Sequence, residues 1–327
     1  MTDQPTAPRP RYAIVDIARG VAIIAMVVYH FFWDLSYFRF IAADVGYDLN
    51  WVIFARTILA AFMFLVGVGL VLGHGAGIRW HAFLRRWVWV LAGALAITLV
   101  TRFAFPDSFV FFGVLHAIAV TSLLGLAFLR TPIWLNAILA IVIIALGIAV
   151  KNPFFNEWTW SWIGLWEIPP PTNDLVPLIP WFGVVLLGMV ATRLVLASSL
   201  AAKLAAIQPT GRLPKSLSFL GRWSLLIYVL HQPILLGLVA PAAQIFQLQI
   251  AMREPDFLRS CQSTCEDGGT PANMCVTYCQ CGLEGVEKND LWNAINTGIV
   301  SAAEQSLLDA QNMQCSALIY PSLTAPE

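Results

Sequence analysis

Long apolar stretches free of Asp, Glu, Lys and Arg run over 57–78, 87–101, 108–129, 131–150, 175–192 and 223–252. A further apolar run begins near Tyr12 and continues to about Trp33, with Asp16 and Arg19 inside it. A helix that crosses a bilayer needs about 20 mostly apolar residues, so the pattern predicts seven spans at about 12–33, 51–73, 82–102, 108–129, 131–150, 174–196 and 217–240. Composition agrees: 58% of the 327 residues are hydrophobic and 12% charged, against roughly 25% charged in an ordinary soluble domain. A water-soluble globule, a disordered chain and a collagen-like chain are excluded. The first span carries charges and lacks a small-residue cleavage site, so it reads as a membrane anchor and not as a signal peptide. With 19 basic and 19 acidic residues, a nucleic-acid partner has no electrostatic support.

Lys and Arg in short loops set orientation. Arg9 and Arg11 precede the first span, Arg79, Arg85 and Arg86 fall in the second loop, and Lys203, Arg212 and Lys215 in the sixth. The first and fifth loops hold Asp44, Asp48, Glu157 and Glu167. The alternation predicts a cytoplasmic N-terminal segment over 1–11, a transmembrane bundle over 12–240, a linker over 241–254 and an extracytoplasmic domain over 255–327.

All six cysteines lie in that last part, at 261, 265, 275, 279, 281 and 315. Positions i and i+4 share a helix face. Two such pairs around Asp267-Gly268-Gly269-Thr270-Pro271 describe a helical hairpin with Cys261 facing Cys279 and Cys265 facing Cys275. Cys281 lies about 200° around the helix from Cys279, which leaves Cys315 as its partner. The even count and exterior placement favour disulfides; a zinc site or free thiols are the alternatives, although the usual C-x2-C zinc spacing is absent. The fold class is therefore an all-α integral membrane protein of about seven transmembrane helices plus a small Cys-rich helical hairpin domain.

Ionisable groups inside spans are costly and are functional candidates by default. Arg19 and His30 are eleven residues apart, which returns them to one helix face within about 20°, separated by roughly 16 Å along the axis. Asp34 follows His30 by four residues, in reach of its ring, where a carboxylate fixes the tautomer and stabilises the imidazolium. Arg56 and Asp174 enter their spans from the same outer side as His30. The four could converge there, or form an ion-pair cluster that staples helices. His116 and His231 are weaker candidates for substrate contact or support, with an interhelical hydrogen bond as the alternative. Pro233 follows His231 closely and is expected to kink its helix.

The segments VDIARGVAIIAMVVYHFFWDL (15–35), FFGVLHAIAV (111–120), VPLIPWFGVVLLG (176–188) and LGRWSLLIYVLHQPIL (220–235) resemble a bacterial membrane family related to the catalytic domain of heparan-alpha-glucosaminide N-acetyltransferase. Arg19-x10-His30 resembles the R-x10-H signature of the wider group of membrane acyltransferases that acylate surface glycans, and 220–235 resembles their late YxxH helix. The similarity spans roughly 11–240 and leaves out the Cys-rich tail. It implies a protein of the bacterial inner membrane that moves an acyl group, acetyl in the first instance, from acetyl-CoA or another acyl-CoA on the cytoplasmic side to an amine or hydroxyl of a sugar or glycan outside. Membrane lipid would be the surrounding partner, and no metal is implied. His30 would act as general base or transient acyl carrier, Asp34 would orient it, and Arg19 or Arg56 would steady the oxyanion. Arg79, Arg85, Arg86 and Arg222, with Lys203, Arg212 and Lys215, are cations available to CoA phosphates, or simply mark the cytoplasmic face.

Two other classes fit parts of the pattern. Buried His, Asp and Arg also build proton relays, as in a proton-coupled transporter, though no internal repeat supports one. A structural envelope protein with the Cys hairpin as a periplasmic docking module is the other.

Overall fold

The computed structural model describes residues 12–41, 43–246, 248–297 and 300–320. The N-terminal segment read as cytoplasmic, with Arg9 and Arg11, lies outside them. The described residues form helices α1 (Ala13–Tyr37), α2 (Leu49–His74), α3 (Trp80–Ala104), α4 (Val114–Ala127), α5 (Ile133–Ala149), α6 (Trp158–Ser161), α7 (Leu178–Leu196), α8 (Leu200–Ala206), α9 (Arg212–Arg222), α10 (Ser224–Ile245), α11 (Leu248–Asp267), α12 (Ala272–Lys288), α13 (Trp292–Thr297) and α14 (Ala302–Ile319). They fall into two compact units, one of residues up to 238 without 37–42, the other of 37–42 and 239 onward.

In the first unit, α1, α2, α3, α7 and α10 are long and apolar enough to cross a membrane, while α4 and α5 are apolar but shorter. The chain is a multi-pass membrane protein. The span expected at 108–129 is helical only from Val114, because the residues before it pair with the stretch ahead of α7. Asn173 N–H donates to Ser108 O at 2.8 Å, the Thr172 hydroxyl to Phe109 O at 2.8 Å, and Val176 N–H to Phe112 O at 3.0 Å. Backbone outside a helix persists in such a bundle only when other protein groups satisfy it. The span expected at 217–240 is divided between α9 and α10, which meet at Trp223. Residues read as linker, 241–254, are helical up to Ile245 and again from Leu248.

Packing in the bundle centres on α7, which lies most extensively against α2 and α5. Met63, Leu70, Phe182, Val185, Leu186 and Met189 form the middle of its core. Two glycines bring the backbones of α2 and α7 together from both sides. A Cβ on Gly67 would run into Val185 O, and one on Gly188 into Phe64 O. Between membrane helices there is no hydrophobic driving force to replace such contact, so small residues at the seam carry the association.

The second unit is stapled. Sulfurs bond Cys261 to Cys279, Cys265 to Cys275 and Cys281 to Cys315, with Cα atoms 5.8, 5.7 and 5.6 Å apart. These are the pairs the helical spacing led to, with Gly269 in the left-handed region (φ +87°) at the turn between α11 and α12. The core is small: Leu283, Val286, Leu291 and Trp292, with Phe257, Leu258 and Leu308 against them. A unit of this size has a marginal core, and each bridge contributes about 2–4 kcal/mol by restricting the unfolded chain. A capping box opens α14: Glu304 N–H donates to the Ser301 hydroxyl at 3.3 Å and Ser301 N–H to Glu304 Oε2 at 2.8 Å. The same Ser301 groups hold the Glu304 carboxyl below the ordinary glutamate range.

Gly188→Val is expected to destabilise the bundle by about 1–3 kcal/mol through overpacking, read as a lower melting temperature in detergent. Leu194→Val, at a position 55% exposed, should leave it unchanged. Non-reducing peptide mapping should return three crosslinks joining Cys261 to Cys279, Cys265 to Cys275 and Cys281 to Cys315; mixed pairings or free thiols would refute the stapled unit.

Candidate active site

Two polar clusters occupy the first unit, and α1 takes part in both. Near its start, Arg19 Nη1 donates to Asp16 Oδ1 at 3.2 Å, a spacing of three residues that places both on one helix face. The Arg19 guanidinium also lies against Gly69 of α2, where a Cβ would sit 3.4 Å from Nη2. Asp16 is within electrostatic reach of Arg86 on α3. Helix α9 closes on this part of α1: a Cβ on Gly221 would collide with Asp16 O, and one on Gly20 with Leu217 O.

Further along α1 is the second cluster. The His30 ring is 4.9 Å from that of His231 on α10, centroid to centroid, with the planes tilted by 59°. One residue on, Gln232 Nε2 donates to Asp34 Oδ1 at 2.7 Å. Asp34 has no exposed surface at all. The expectation that Asp34 holds the His30 ring is therefore corrected: its partner is Gln232, and among the described residues His30 makes no hydrogen bond. The side chain of residue i+4 rises along the same face, but the amide of α10 reaches the carboxylate first.

His231 is fixed by its own helix. Its Nδ1 lies 2.7 Å from Tyr228 O. A carbonyl only accepts, so Nδ1 carries the hydrogen, and in the neutral ring Nε2 is left with a lone pair. That Nε2 is buried with no hydrogen-bond partner, as are Asp34 Oδ2 and Gln232 Oε1. Three acceptor atoms thus lack donors, one on the ring that faces His30 and two on the hydrogen-bonded Asp34–Gln232 pair. A buried acceptor left without a donor costs about 1–3 kcal/mol, so the cluster is suited to a molecule that brings N–H or O–H groups.

Asp174 and His116 frame the start of α4. Asp174 Oδ2 accepts from Val114 N–H at 3.0 Å, capping an otherwise unsatisfied helix terminus. Gly113 N–H donates to His116 Nδ1 at 3.3 Å, and the Thr98 hydroxyl donates to Val110 O at 2.7 Å, so His116 Nε2–H donates to that hydroxyl at 3.3 Å. His116 is fully engaged, with both ring nitrogens spoken for. The Asp174 carboxylate is within electrostatic reach of the phenols of Tyr29 and Tyr228, which ties the α4 terminus to the histidine pair.

The remaining candidates lie elsewhere. Arg56 is exposed on α2 and makes no hydrogen bond or ion pair among the described residues, so it does not join His30, Asp34 and Asp174 as expected. Arg79 Nε donates to Gly73 O at 3.1 Å and closes the α2–α3 turn. Arg85 and Arg222 are exposed. The six cysteines belong to the second unit and are all consumed in disulfides. No three His, Cys, Asp or Glu side chains among the described residues are grouped as a metal ion would require. Gln232, Tyr29 and Thr98 were not singled out from the sequence, and Tyr228 entered only as the tyrosine of the YxxH segment. Gln232 carried the readable signal, a polar side chain directly after His231 within an apolar run.

No curated protein and no solved structure matches the chain. A family model does: the catalytic domain of heparan-alpha-glucosaminide N-acetyltransferase, over residues 11–233. The match covers α1 to the middle of α10, with both polar clusters inside it, and ends before the six cysteines. The chain belongs to the heparan-alpha-glucosaminide N-acetyltransferase catalytic-domain family of membrane acetyltransferases.

Proposed function

We propose that this protein transfers an acetyl group from cytoplasmic acetyl-CoA to an amine or hydroxyl of an extracytoplasmic sugar, and that the His30–His231 pair is where the acceptor is activated. The observation that carries this reading is the set of buried acceptor atoms without donors, His231 Nε2, Asp34 Oδ2 and Gln232 Oε1. A sugar amine or hydroxyl supplies the donors those atoms lack.

In the reaction, His30 takes the proton from the acceptor N–H or O–H as its lone pair attacks the thioester carbonyl. His231, with Nδ1–H engaged by Tyr228 O, offers Nε2 as a second station for that proton. The carbon–sulfur bond breaks, the sugar keeps the acetyl group, and the proton passes to the departing CoA thiolate. General base catalysis of this kind contributes about 10²–10⁴-fold. The bond between Asp34 and Gln232 also keeps His231 on α10 in register with His30 on α1, so in this reading the two residues position the histidine pair as well as contact the acceptor. The Asp16–Arg19 pair, with Arg86, stands some 11 residues earlier on α1. We assign that end to the donor, whose phosphates favour guanidinium partners, with the N-terminus cytoplasmic and the Cys-rich unit periplasmic in an inner membrane. Arg19 is then too far along α1 from His30 to steady the oxyanion there.

His30→Ala should lower acetyl transfer by about 10²–10⁴-fold with unchanged abundance and melting temperature. Mass spectrometry of glycans and lipids from cells carrying wild type or the variant reads this whatever the acceptor is. An acetyl increment of equal size in both would remove His30 from the chemistry. For Asp34→Asn and Gln232→Ala, the losses should be smaller and non-additive. A coupling of about 1.5–3 kcal/mol is expected for a hydrogen bond to a charged group; strictly additive losses would separate the two residues.

A further inference from the structure

The second unit holds a cavity of about 1180 Å³, larger than the 300–1,000 Å³ usual for small-molecule sites. Its wall includes Cys261, Cys265 and Cys315, so all three disulfides brace it. Bracing of this sort reduces the ordering that a ligand would otherwise have to impose.

One part of the wall is unbalanced. The Arg253 guanidinium lies over the Trp292 ring, 4.8 Å from its centroid. Trp292 is 7% exposed, and neither its Nε1–H nor Arg253 Nε–H has an acceptor. Arg253 also has no carboxylate partner among the described residues. Its neighbours on the wall are different: Arg39 and Asp256 neutralise each other at 2.9 Å. Two adjacent donors without an acceptor, one of them on a cation, suit an oxyanion, which a guanidinium binds with charge-assisted hydrogen bonds.

The rest of the wall extends the requirement beyond a simple anion. Tyr278 O–H donates to Asn312 Oδ1 at 2.6 Å, and Gln305 Nε2 donates to Asp309 Oδ1 at 2.8 Å. These four side chains line the cavity with spare donor and acceptor positions. Aromatic faces interleaved with carboxylate and amide groups match a hydroxyl-bearing ring, whose faces are apolar and whose rim both donates and accepts.

We infer that this cavity binds an acidic saccharide, with a carboxylate, sulfate or phosphate of the sugar placed on Arg253 and Trp292. The inference stands on the second unit alone and does not require the transferase reading. It makes the Cys-rich unit a glycan-binding module fused to the membrane enzyme.

The test uses the full chain in phosphatidylcholine nanodiscs and isothermal titration calorimetry. Tri-galacturonate is the acidic saccharide, maltotriose the neutral one, sodium sulfate the bare anion and glycerol 1-phosphate the lipid headgroup. Tri-galacturonate should bind at least tenfold more tightly than each of the other three. Arg253→Gln should weaken it at least tenfold. Ser260→Trp, which fills the cavity from an exposed position on its wall, should do the same without touching the Arg253–Trp292 stack. Melting temperature and non-reducing peptide maps establish that each variant is folded. No binding by tri-galacturonate, equal or tighter binding of any other probe, or binding that survives Ser260→Trp in a folded protein would each overturn the proposal.

Discussion

A carboxylate without exposed surface in an apolar bundle is destabilising by several kcal/mol unless it is hydrogen-bonded. Asp34 meets that demand on one oxygen, with a bond from Gln232 Nε2 to Oδ1 at 2.7 Å, and leaves Oδ2 without a donor. The bond joins α1 to α10 across almost two hundred residues of sequence. It also fixes which face of α10 meets α1, and so brings His231, one residue before Gln232, to 4.9 Å from His30. Low surrounding dielectric strengthens such a bond and makes its loss expensive. The geometry of the histidine pair therefore depends on the bond between Asp34 and Gln232.

The backbone contributes the other constraint. Where the chain leaves helical geometry before α4, it is satisfied by 172–176 and by the Asp174 carboxylate on Val114 N–H. This arrangement holds Asp174 near the phenols of Tyr29 and Tyr228 and holds His116 in a closed chain with Thr98 and Val110 O. His116 is thereby occupied, whereas His231 keeps a bare nitrogen. Two histidines in similar apolar runs are thus distinguished by what their rings bond to.

Much of the fold was legible in the sequence because its signals are local. Uninterrupted apolar runs marked the helices of the bundle, and i, i+4 spacing with a process of elimination gave the three cysteine pairs. Helix limits were less legible where tertiary partners decide them. Val114 opens α4 because the preceding residues find partners ahead of α7, and the break at Trp223 separates α9 from α10. The linker at 241–254 reads as helix on both sides of Gln247 because its apolar and polar residues suit helix as well as they suit a connection. At the site, spacing along one helix identified His30 and its neighbours but not what they touch. Asp34 is one turn from His30 in sequence and bonds Gln232 instead. Arg56, placed by depth alone, faces outward on α2. Contacts between helices distant in sequence have no local signature, and a glutamine in a span attracts less notice than a charged residue although it answers the same electrostatic need.

In the proposed reaction, acetyl transfer runs through the histidine pair and across the bilayer. Its most direct test is a reconstitution in proteoliposomes, with a glucosamine-terminated oligosaccharide enclosed and radiolabelled acetyl-CoA supplied only outside. With wild-type protein oriented so that the N-terminus faces the donor, label should accumulate on the enclosed sugar. The folded His30→Ala, His231→Ala double variant should leave the sugar unlabelled. Equal labelling by the double variant, or label appearing only on sugar placed on the donor's own side, would contradict that route.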